Sequence, residues 1–248
     1  MAKRRIARTF RKLSDFFDPA PKMAPSSPGR SEYKAHWNSL AQSESDAKMA
    51  VSGYVDETRY RETALATIAT LRETVGIDAG DTVLEIGAGV GRVGAVLAPL
   101  CREWIGTDVS DHMVDHMKRR LASYPNTRAL TISGFDLKPI QSQSIDLVYC
   151  TVVFMHLEEW DRYNYIAEGF RVLKPGGRMF VDNVNLLSDA GWEFFEVHRA
   201  TSPADRQAHH SKTSTPQELE TYFKRAGFTG IAQKTFDLWI YTWGIKSL

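Results

Sequence analysis

The segment that most constrains the fold is an apolar run that ends in three glycines, each two residues from the next. It reads Val83-Leu84-Glu85-Ile86-Gly87-Ala88-Gly89-Val90-Gly91-Arg92. Glycine reaches backbone conformations that other residues avoid, so this spacing permits a tight turn from a strand into a helix. Such a turn serves either close packing of the strand on the helix or the approach of a ligand to bare backbone. The segment therefore predicts a strand–turn–helix unit with a candidate ligand-binding bend.

Around this unit, short apolar strands alternate with helical segments that carry apolar residues every three or four positions. We predict strands at 81–87, 104–109, 129–133, 144–150 and 178–183, followed by two more after Gly227. We predict helices at 57–75, 90–97, 111–123, 158–173 and 215–226, with Ser110 as the N-cap of the third and Gly227 ending the last. This alternation is typical of parallel βαβ units, which form a doubly wound sheet that binds ligands beyond the carboxyl ends of its strands.

Composition excludes several other architectures. The chain has 248 residues, of which 43% are hydrophobic and 25% charged, and its two cysteines, Cys101 and Cys150, belong to no Cys-x-x-Cys or Cys/His cluster. A disulfide scaffold and a zinc module are therefore not expected. No run of about 18 apolar residues predicts a membrane span, and no secretory signal with an apolar core is evident. We expect a cytoplasmic protein.

The first residues differ in charge from the remainder. Residues 1–12 carry six basic side chains and no acid, which leaves 25 basic and 30 acidic residues elsewhere. Within residues 1–17, one helical stripe holds Ile6, Phe10, Leu13 and Phe17. A cationic amphipathic helix suits an anionic membrane surface or an acidic partner, and a solubilising tail or an organelle transit peptide would have similar composition. A proline-rich linker follows, so we assign residues 1–30 to a tail and linker.

Three carboxylates follow or end successive predicted strands. Glu85 lies just before the glycine bend, where it would repel a diphosphate but suit an ammonium group, and Arg92 replaces the third glycine of a dinucleotide fingerprint. Asp108 ends the second strand, where an acid can accept hydrogen bonds from ribose hydroxyls. Asp136 follows the third strand beside Leu137 and could accept a hydrogen bond from an adenine amino group.

This set of motifs resembles the class I S-adenosylmethionine-dependent methyltransferases. Residues 171–178 and 216–228 also resemble segments of that family, so the likeness covers about residues 57–245. It implies an α/β, Rossmann-like, doubly wound and mostly parallel seven-stranded sheet with an antiparallel last strand. It also implies a methyltransferase domain at 31–248, in which 31–75 form a helical lid with Trp37, Tyr54 and Arg59 as candidates. The implied S-adenosyl-L-methionine ligands are Glu85, Gly87, Ala88, Gly89, Gly91, Arg92, Asp108, Val109, Asp136, Leu137 and Thr151.

Residues beyond the fourth and fifth strands are candidates for catalysis and for binding the methyl acceptor. His156 follows the fourth strand, and histidine suits the role of general base near neutral pH. The long segment 184–214 is a candidate substrate-facing insertion. Candidate acceptor contacts are Asp182, Asn183, Trp192, His209 and His210. Asp182 and Asn183 resemble part of a magnesium site, but Cys150 and Thr151 stand where a third ligand is needed, so we predict no metal.

The sequence thus predicts an enzyme that methylates a hydroxyl of a small-molecule or carbohydrate acceptor. A non-catalytic cofactor-binding scaffold or activator of a partner protein, and an N-methyltransferase acting on a small amine, remain alternatives. Glu85 and Arg92 disfavour a nicotinamide oxidoreductase. Residues 151–154 lack the Asn/Asp-Pro-Pro-aromatic motif of base-amino methyltransferases, and the acidic body disfavours nucleic acid. No signal in the sequence indicates an oligomeric state.

Overall fold

The strand that enters the glycine bend lies near the middle of a seven-stranded sheet. The computed structural model describes residues 30–248, so the predicted amphipathic segment 1–17 lies outside the described residues, as does the linker up to residue 29. The strands are β1 (Thr82–Ile86), β2 (Glu103–Asp108), β3 (Thr127–Thr131), β4 (Ile145–Cys150), β5 (Leu173–Val184), β6 (Thr229–Phe236) and β7 (Trp239–Ile245).

The strand order is β3-β2-β1-β4-β5-β7-β6. Strands β1 to β5 pair in parallel, whereas β7 runs antiparallel to both β5 and β6. This confirms the predicted doubly wound, mostly parallel sheet with an antiparallel last strand. Because β1 and β4 are neighbours although two strands separate them in sequence, the chain reverses its winding at β1, where open α/β sheets form a ligand crevice.

Eight helices accompany the sheet in the described part of the chain. They are α1 (Arg30–Ser39), α2 (Glu44–Ser52), α3 (Glu57–Thr74), α4 (Gly94–Leu97), α5 (Asp111–Arg120), α6 (Glu159–Val172), α7 (Asp189–Arg199) and α8 (Pro216–Ala226). Local signals set several of their ends. The Ser110 hydroxyl accepts from the Met113 N–H at the start of α5, as predicted, and Thr215 caps α8 in the same way. None of these helices is long and apolar enough to cross a membrane.

Three predicted elements differ from those observed. The helix predicted at 90–97 is reduced to α4, because residues 90–93 form turns and the chain continues into a 3₁₀ turn at Ala98–Leu100. Strand β5 begins at Leu173 rather than at 178, since Gly176 and Gly177 hydrogen-bond with the backbone of Lys246. The segment 184–214 contains α7, which the sequence analysis did not predict.

The two faces of the sheet bury alternate residues of each strand. In β1, Leu84 and Ile86 belong to one apolar cluster, while Val83 packs with Trp104 and Tyr149 in a second cluster on the opposite face. All of these side chains are almost fully buried. The packing fixes the carboxyl ends of β1, β2, β4 and β5 along one edge of the sheet, where the predicted site residues lie.

Candidate active site

A cavity of about 110 Å³ lies at the carboxyl ends of β1, β2 and β4. Most of the residues predicted to bind the cofactor line it: Glu85, Gly87, Ala88, Gly89, Arg92, Asp108, Val109 and Thr151. The predicted base, His156, lines it as well. The structure therefore brings together side chains from three strand ends that are up to 71 positions apart in the sequence.

The glycine bend forms one wall of this cavity. Gly87 has a φ of +72° and Gly89 a φ of +55°, which are left-handed conformations that glycine adopts at little cost. A Cβ at Gly87 would collide with the side chain of Val153, and a Cβ at Gly89 would crowd Val51 of α2. The bend therefore requires glycine both for its backbone conformation and for close contact with its neighbours.

Asp108 connects the bend to the start of α5. Its Oδ2 accepts from the Gly89 N–H at 2.9 Å, and its Oδ1 accepts from the Ser110 N–H at 2.9 Å. Burial raises the pKa of Asp108 to about 6, although these backbone donors oppose the rise. The carboxylate thus fixes the bend, and each oxygen keeps a second lone pair for a hydroxyl donor in the cavity.

Glu85 lies at the floor of the cavity and is almost completely buried. The Tyr149 hydroxyl donates to its Oε2, and the Trp104 indole N–H donates to the Tyr149 oxygen at 3.2 Å. Burial raises the pKa of Glu85 to about 7, while the Tyr149 hydrogen bond and the Arg92 charge lower it. A buried carboxylate of this kind would be stabilised as an anion by a cationic ligand.

Arg92 supplies the positive charge of the cavity. Its Nη1 is buried and has no hydrogen-bond partner among the residues that the structure describes. A buried guanidinium nitrogen without a partner is costly, and a bound anionic group would remove that cost. The Arg92 charge also lowers the pKa of Asp182 below the value that burial alone would give.

The structure does not bring Asp136 and Leu137 to the cavity. The Asp136 carboxylate accepts from the Ser133 hydroxyl at 2.9 Å and pairs with the Lys138 ammonium at 3.2 Å, both within its own loop. Leu137 is completely buried in the core, and its N–H donates to Glu168. Ile132 and Gly134 line the cavity instead.

Gly91 also lies away from the cavity lining. A Cβ at this position would approach Met117 and Leu121 closely, so Gly91 permits the bend to pack against α5. Of the two roles that the glycine spacing allowed, close packing and ligand approach, Gly91 thus has the packing role. Gly87 and Gly89 border the cavity, whereas Gly91 lets the bend pack closely against α5.

The N-terminal helices cover the cavity. Tyr33 and Trp37 of α1, together with Ala50 and Val51 at the end of α2, line its outer side. Tyr33 was not among the lid candidates, although its position one helical turn before Trp37 could have indicated it. The other two lid candidates, Tyr54 and Arg59, stack on each other with the guanidinium 4.1 Å from the ring centroid and do not line the cavity.

A larger cavity of about 640 Å³ adjoins the first. Tyr33, His156 and Leu157 line both cavities, so these three residues form their common boundary. The remaining wall comes from the start of α6, from α7 and from residues 206–213. His210, a predicted acceptor contact, lines this second cavity, and so do Phe195, Arg206 and Lys212, which were not among the predicted contacts.

His156 has a defined protonation pattern at this boundary. Its Nδ1 lies 2.9 Å from the backbone carbonyl oxygen of His209. A carbonyl oxygen only accepts hydrogen bonds, so Nδ1 carries the proton and Nε2 of the neutral ring keeps a lone pair. Burial lowers the pKa of His156 below its ordinary value, which keeps the ring neutral at physiological pH. The indole of Trp37 packs edge-on against this ring, with centroids 5.2 Å apart.

His209 joins the covering helix α1 to the segment before α8. Its ring stacks on that of His36, with the centroids 3.6 Å apart and the planes inclined by 14°. Burial lowers the pKa of His209 to about 4, and the nearby His36 and His156 contribute in the same direction. His209 lines neither cavity, so its side chain holds the cover in place rather than reaching an acceptor.

Comparison with known proteins identifies the domain. Residues 84–181 match a family model described as a methyltransferase domain. The chain contains a domain of the class I S-adenosylmethionine-dependent methyltransferases. That span includes the glycine bend, Asp108 and the end of β4, so the methyltransferase domain is built around the first cavity.

Curated relatives of this methyltransferase domain include a probable S-adenosylmethionine-dependent methyltransferase from Mycolicibacterium smegmatis, 31% identical over 150 residues, or 60% of this chain and 52% of that protein. A malonyl-[acyl-carrier protein] O-methyltransferase from Methylococcus capsulatus is 25% identical over 151 residues, again 60% of this chain and 52% of that protein. The chain thus spans about half the length of these relatives.

Among solved structures, a magnesium protoporphyrin IX methyltransferase from Synechocystis with bound SAH superimposes with a TM-score of 0.66. The match covers 88% of this chain and 100% of that one at 15% sequence identity. This likeness demonstrates the shared methyltransferase fold.

Besides His209, three of the residues predicted to contact the acceptor lie away from both cavities. The Asp182 carboxylate accepts from the Val152 N–H at 2.6 Å, and the Asn183 amide donates to the Ser214 hydroxyl at 2.6 Å. Both residues are buried and line neither cavity. Trp192 is 53% exposed and does not reach the cavities either. Within residues 30–248, no cluster of three or more His, Cys, Asp or Glu side chains has the geometry to hold a metal ion.

Proposed function

We propose that this chain is an S-adenosylmethionine-dependent O-methyltransferase that acts on a hydroxyl group of a small-molecule or carbohydrate acceptor. The observation that carries the proposal is the position of His156 on the boundary of both cavities, with its Nδ1 hydrogen-bonded to a carbonyl and Nε2 unprotonated. A neutral imidazole beside the cofactor cavity has the properties of a general base for a hydroxyl acceptor.

The charged residues that line the first cavity support its assignment to the cofactor. Glu85 would bind the ammonium group, Asp108 the ribose hydroxyls, and Arg92 the carboxylate through its unpartnered Nη1. Gly87 and Gly89 leave space for close contact with the backbone. When bound, S-adenosylmethionine supplies an electrophilic methyl group on its sulfonium, and the chemistry of that group belongs to the cofactor.

The protein's own contribution is to position the acceptor and to remove a proton. His156 would accept the proton of the acceptor hydroxyl at Nε2, while its Nδ1–H stays bonded to the His209 carbonyl and fixes the ring. The lowered pKa of His156 keeps this base unprotonated at neutral pH. Tyr33 and Trp37 cover the junction and would limit the access of water. The malonyl-[acyl-carrier protein] relative is named as an O-methyltransferase, which favours an oxygen acceptor over a nitrogen acceptor.

The test compares His156→Ala with His156→Asn, because the asparagine amide can still donate to the His209 carbonyl but cannot act as a base. S-adenosylhomocysteine release is measured with a panel of hydroxylated and amine acceptors, and cofactor affinity is measured by calorimetry. We expect both variants to bind the cofactor normally and to lose about 100-fold or more of the turnover. Wild-type turnover in His156→Asn would exclude the histidine as base, and turnover only with amines would exclude O-methylation. Cofactor binding without turnover on any acceptor would favour the scaffold alternative.

A further inference from the structure

The wall of the larger cavity includes an exposed arginine, Arg206, that forms no ion pair with a carboxylate of the described residues. The Arg206 Nε donates to the Thr201 carbonyl at 3.2 Å, and its Nη2 donates to the Arg199 carbonyl at 3.1 Å. Backbone carbonyls orient a guanidinium without neutralising it. No carboxylate of residues 30–248 lies within 4.0 Å of this guanidinium. Arg206 is thus a cation held in a fixed orientation at the cavity wall.

The other cations of this wall already have carboxylate partners. The Arg199 Nη2 lies 2.6 Å from Glu196, and the Lys212 ammonium lies 3.2 Å from Glu158. Asp161 also lines the cavity, so the wall carries both signs of charge. Because Arg199 and Lys212 are engaged, Arg206 is the guanidinium best placed to bind an anionic group of a ligand by two parallel hydrogen bonds.

Histidines of the same wall supply hydrogen-bond acceptors. The His198 Nδ1 lies 2.8 Å from the Phe194 carbonyl, and the His210 Nε2 lies 2.9 Å from the His198 carbonyl. In each case the carbonyl accepts from the bonded ring nitrogen, so the second ring nitrogen can accept a hydrogen bond when it carries no proton. A cavity lined by three such rings is complementary to a ligand that carries several hydroxyl donors.

We infer that the methyl acceptor is a hydroxylated anion, whose carboxylate or phosphate binds Arg206 while one hydroxyl reaches His156 and others donate to His198 or His210. This inference rests on the proposed function, since it takes the larger cavity as the acceptor site. It narrows the acceptor from any small hydroxyl compound to an acid or phosphate ester with hydroxyl groups. A neutral sugar or alcohol would form no charged contact with Arg206, whose exposed guanidinium would stay hydrated.

The experiment uses three ligands that share one sugar ring: glucuronate, glucose 6-phosphate and glucose. Each is titrated into the ¹⁵N-labelled chain saturated with S-adenosylhomocysteine, and the Nε–H resonance of Arg206 is followed, assigned by its loss in Arg206→Gln. Arg225→Gln is the matched control, because Arg225 is exposed on α8, does not line the cavity and undergoes the same charge change.

We expect glucuronate or glucose 6-phosphate to bind about threefold to fivefold more tightly than glucose, as an ion pair with an exposed guanidinium predicts. Arg206→Gln should abolish this preference, and Arg225→Gln should retain it. Tighter binding of one anion identifies the preferred group as carboxylate or phosphate. Equal affinity for glucose, a preference that survives in Arg206→Gln, or no saturable binding of either anion at millimolar concentration would overturn the inference. A wild-type chain that fails to bind S-adenosylhomocysteine in a separate titration would instead refute the proposed function.

Discussion

The buried carboxylate of Asp182 accepts a hydrogen bond from the backbone N–H of Val152, with 2.6 Å between Oδ1 and the nitrogen. Val152 has a φ of +60°, a conformation that a β-branched residue rarely adopts. It is the second residue after β4 and lines the first cavity, while its neighbour Val153 packs against Gly87. Asp182 therefore stabilises a strained turn that forms part of the site without lining it.

Removal of this hydrogen bond should deform the cavity. We expect Asp182→Ala to lower the free energy of unfolding by about 1–3 kcal/mol and to weaken S-adenosylmethionine binding, because the Val152 N–H loses its buried acceptor. Asp182→Asn keeps an acceptor oxygen and should be much milder. Adding Val152→Gly to Asp182→Ala should restore part of the cofactor affinity, since glycine adopts this φ without strain. Urea unfolding and calorimetry measure both effects. Equal losses in Asp182→Ala and Asp182→Asn would contradict this role.

The raised pKa of Glu85 predicts that cofactor affinity depends on pH. Burial raises this pKa to about 7, so below that pH the carboxyl is largely protonated and would not attract the ammonium group of the cofactor. We expect the affinity for S-adenosylmethionine to fall by up to about tenfold per pH unit below 7. Glu85→Gln should bind weakly at pH 8 and lose most of this dependence, with a residual slope near 6 from Asp108. Calorimetry at several pH values gives the profile. A wild-type affinity that is constant from pH 8 to pH 5.5 would refute it.

Glu85 also makes the stability of the free protein and that of the cofactor-bound protein depend differently on pH. A carboxyl with a raised pKa in the folded state stabilises the free protein below its unfolded pKa, and this stabilisation is lost as pH rises through about 7. A bound cationic cofactor would stabilise the ionised Glu85 carboxylate and so offset this loss of stability. The increase in melting temperature that S-adenosylmethionine produces should therefore be larger at pH 8 than at pH 6. An equal increase at both pH values, or its persistence in Glu85→Gln, would argue against this coupling.

Local sequence signals predicted much of the fold and of the cofactor cavity. The glycine bend, the Ser110 cap and the Gly227 stop depend on neighbours within a few residues, and each was confirmed. The burial of both sheet faces follows from apolar strands between amphipathic helices. The antiparallel β7 came from the family resemblance, because strand direction depends on pairing across the whole sheet.

The partners of individual side chains were less predictable than the strands and helices. The Asp136 carboxylate accepts from the Ser133 hydroxyl and pairs with the Lys138 ammonium within its own loop, and its contact with the adenine stays a prediction. Asn183 is bound by Ser214, a residue 31 positions later that only the folded chain brings near. Arg206 likewise lines the second cavity because of the way the segment 184–214 folds. Composition pointed to the insertion as functional but could not identify which of its side chains face inward.

His156 predicts the pH dependence of turnover. Burial lowers its pKa below the ordinary value near 6.5, so the base stays unprotonated as pH falls from 8 to that value. With cofactor saturating, kcat should be constant over this range and should decline only at lower pH. At saturating cofactor, kcat does not depend on the affinity for the cofactor, so the titration of Glu85 does not affect this measurement. A decline of kcat that begins above pH 7 would mean that another group is the base.

The buried stack of His36 on His209 predicts that the free energy of unfolding decreases in acid, where His209 tends to become protonated. Burial lowers the pKa of His209 to about 4, whereas in the unfolded chain it is near 6.5. The unfolded state therefore binds more protons between these values, and this contribution to stability is present above about 6.5 and lost as pH falls towards 4. His209→Phe keeps an aromatic ring against His36 and the backbone carbonyl that binds His156, but it cannot titrate.

We expect His209→Phe to lose less free energy of unfolding than the wild type when the pH is lowered from 7 to 5. His36→Phe should give a smaller effect of the same sign, because burial rather than the neighbouring ring is the main cause of the shift. The raised pKa values of Glu85, Asp108 and Asp182 act with the opposite sign, so the difference between variant and wild type is the informative quantity. Urea unfolding at both pH values provides it. Identical pH dependence in all three proteins would show that protonation of the stack does not limit stability.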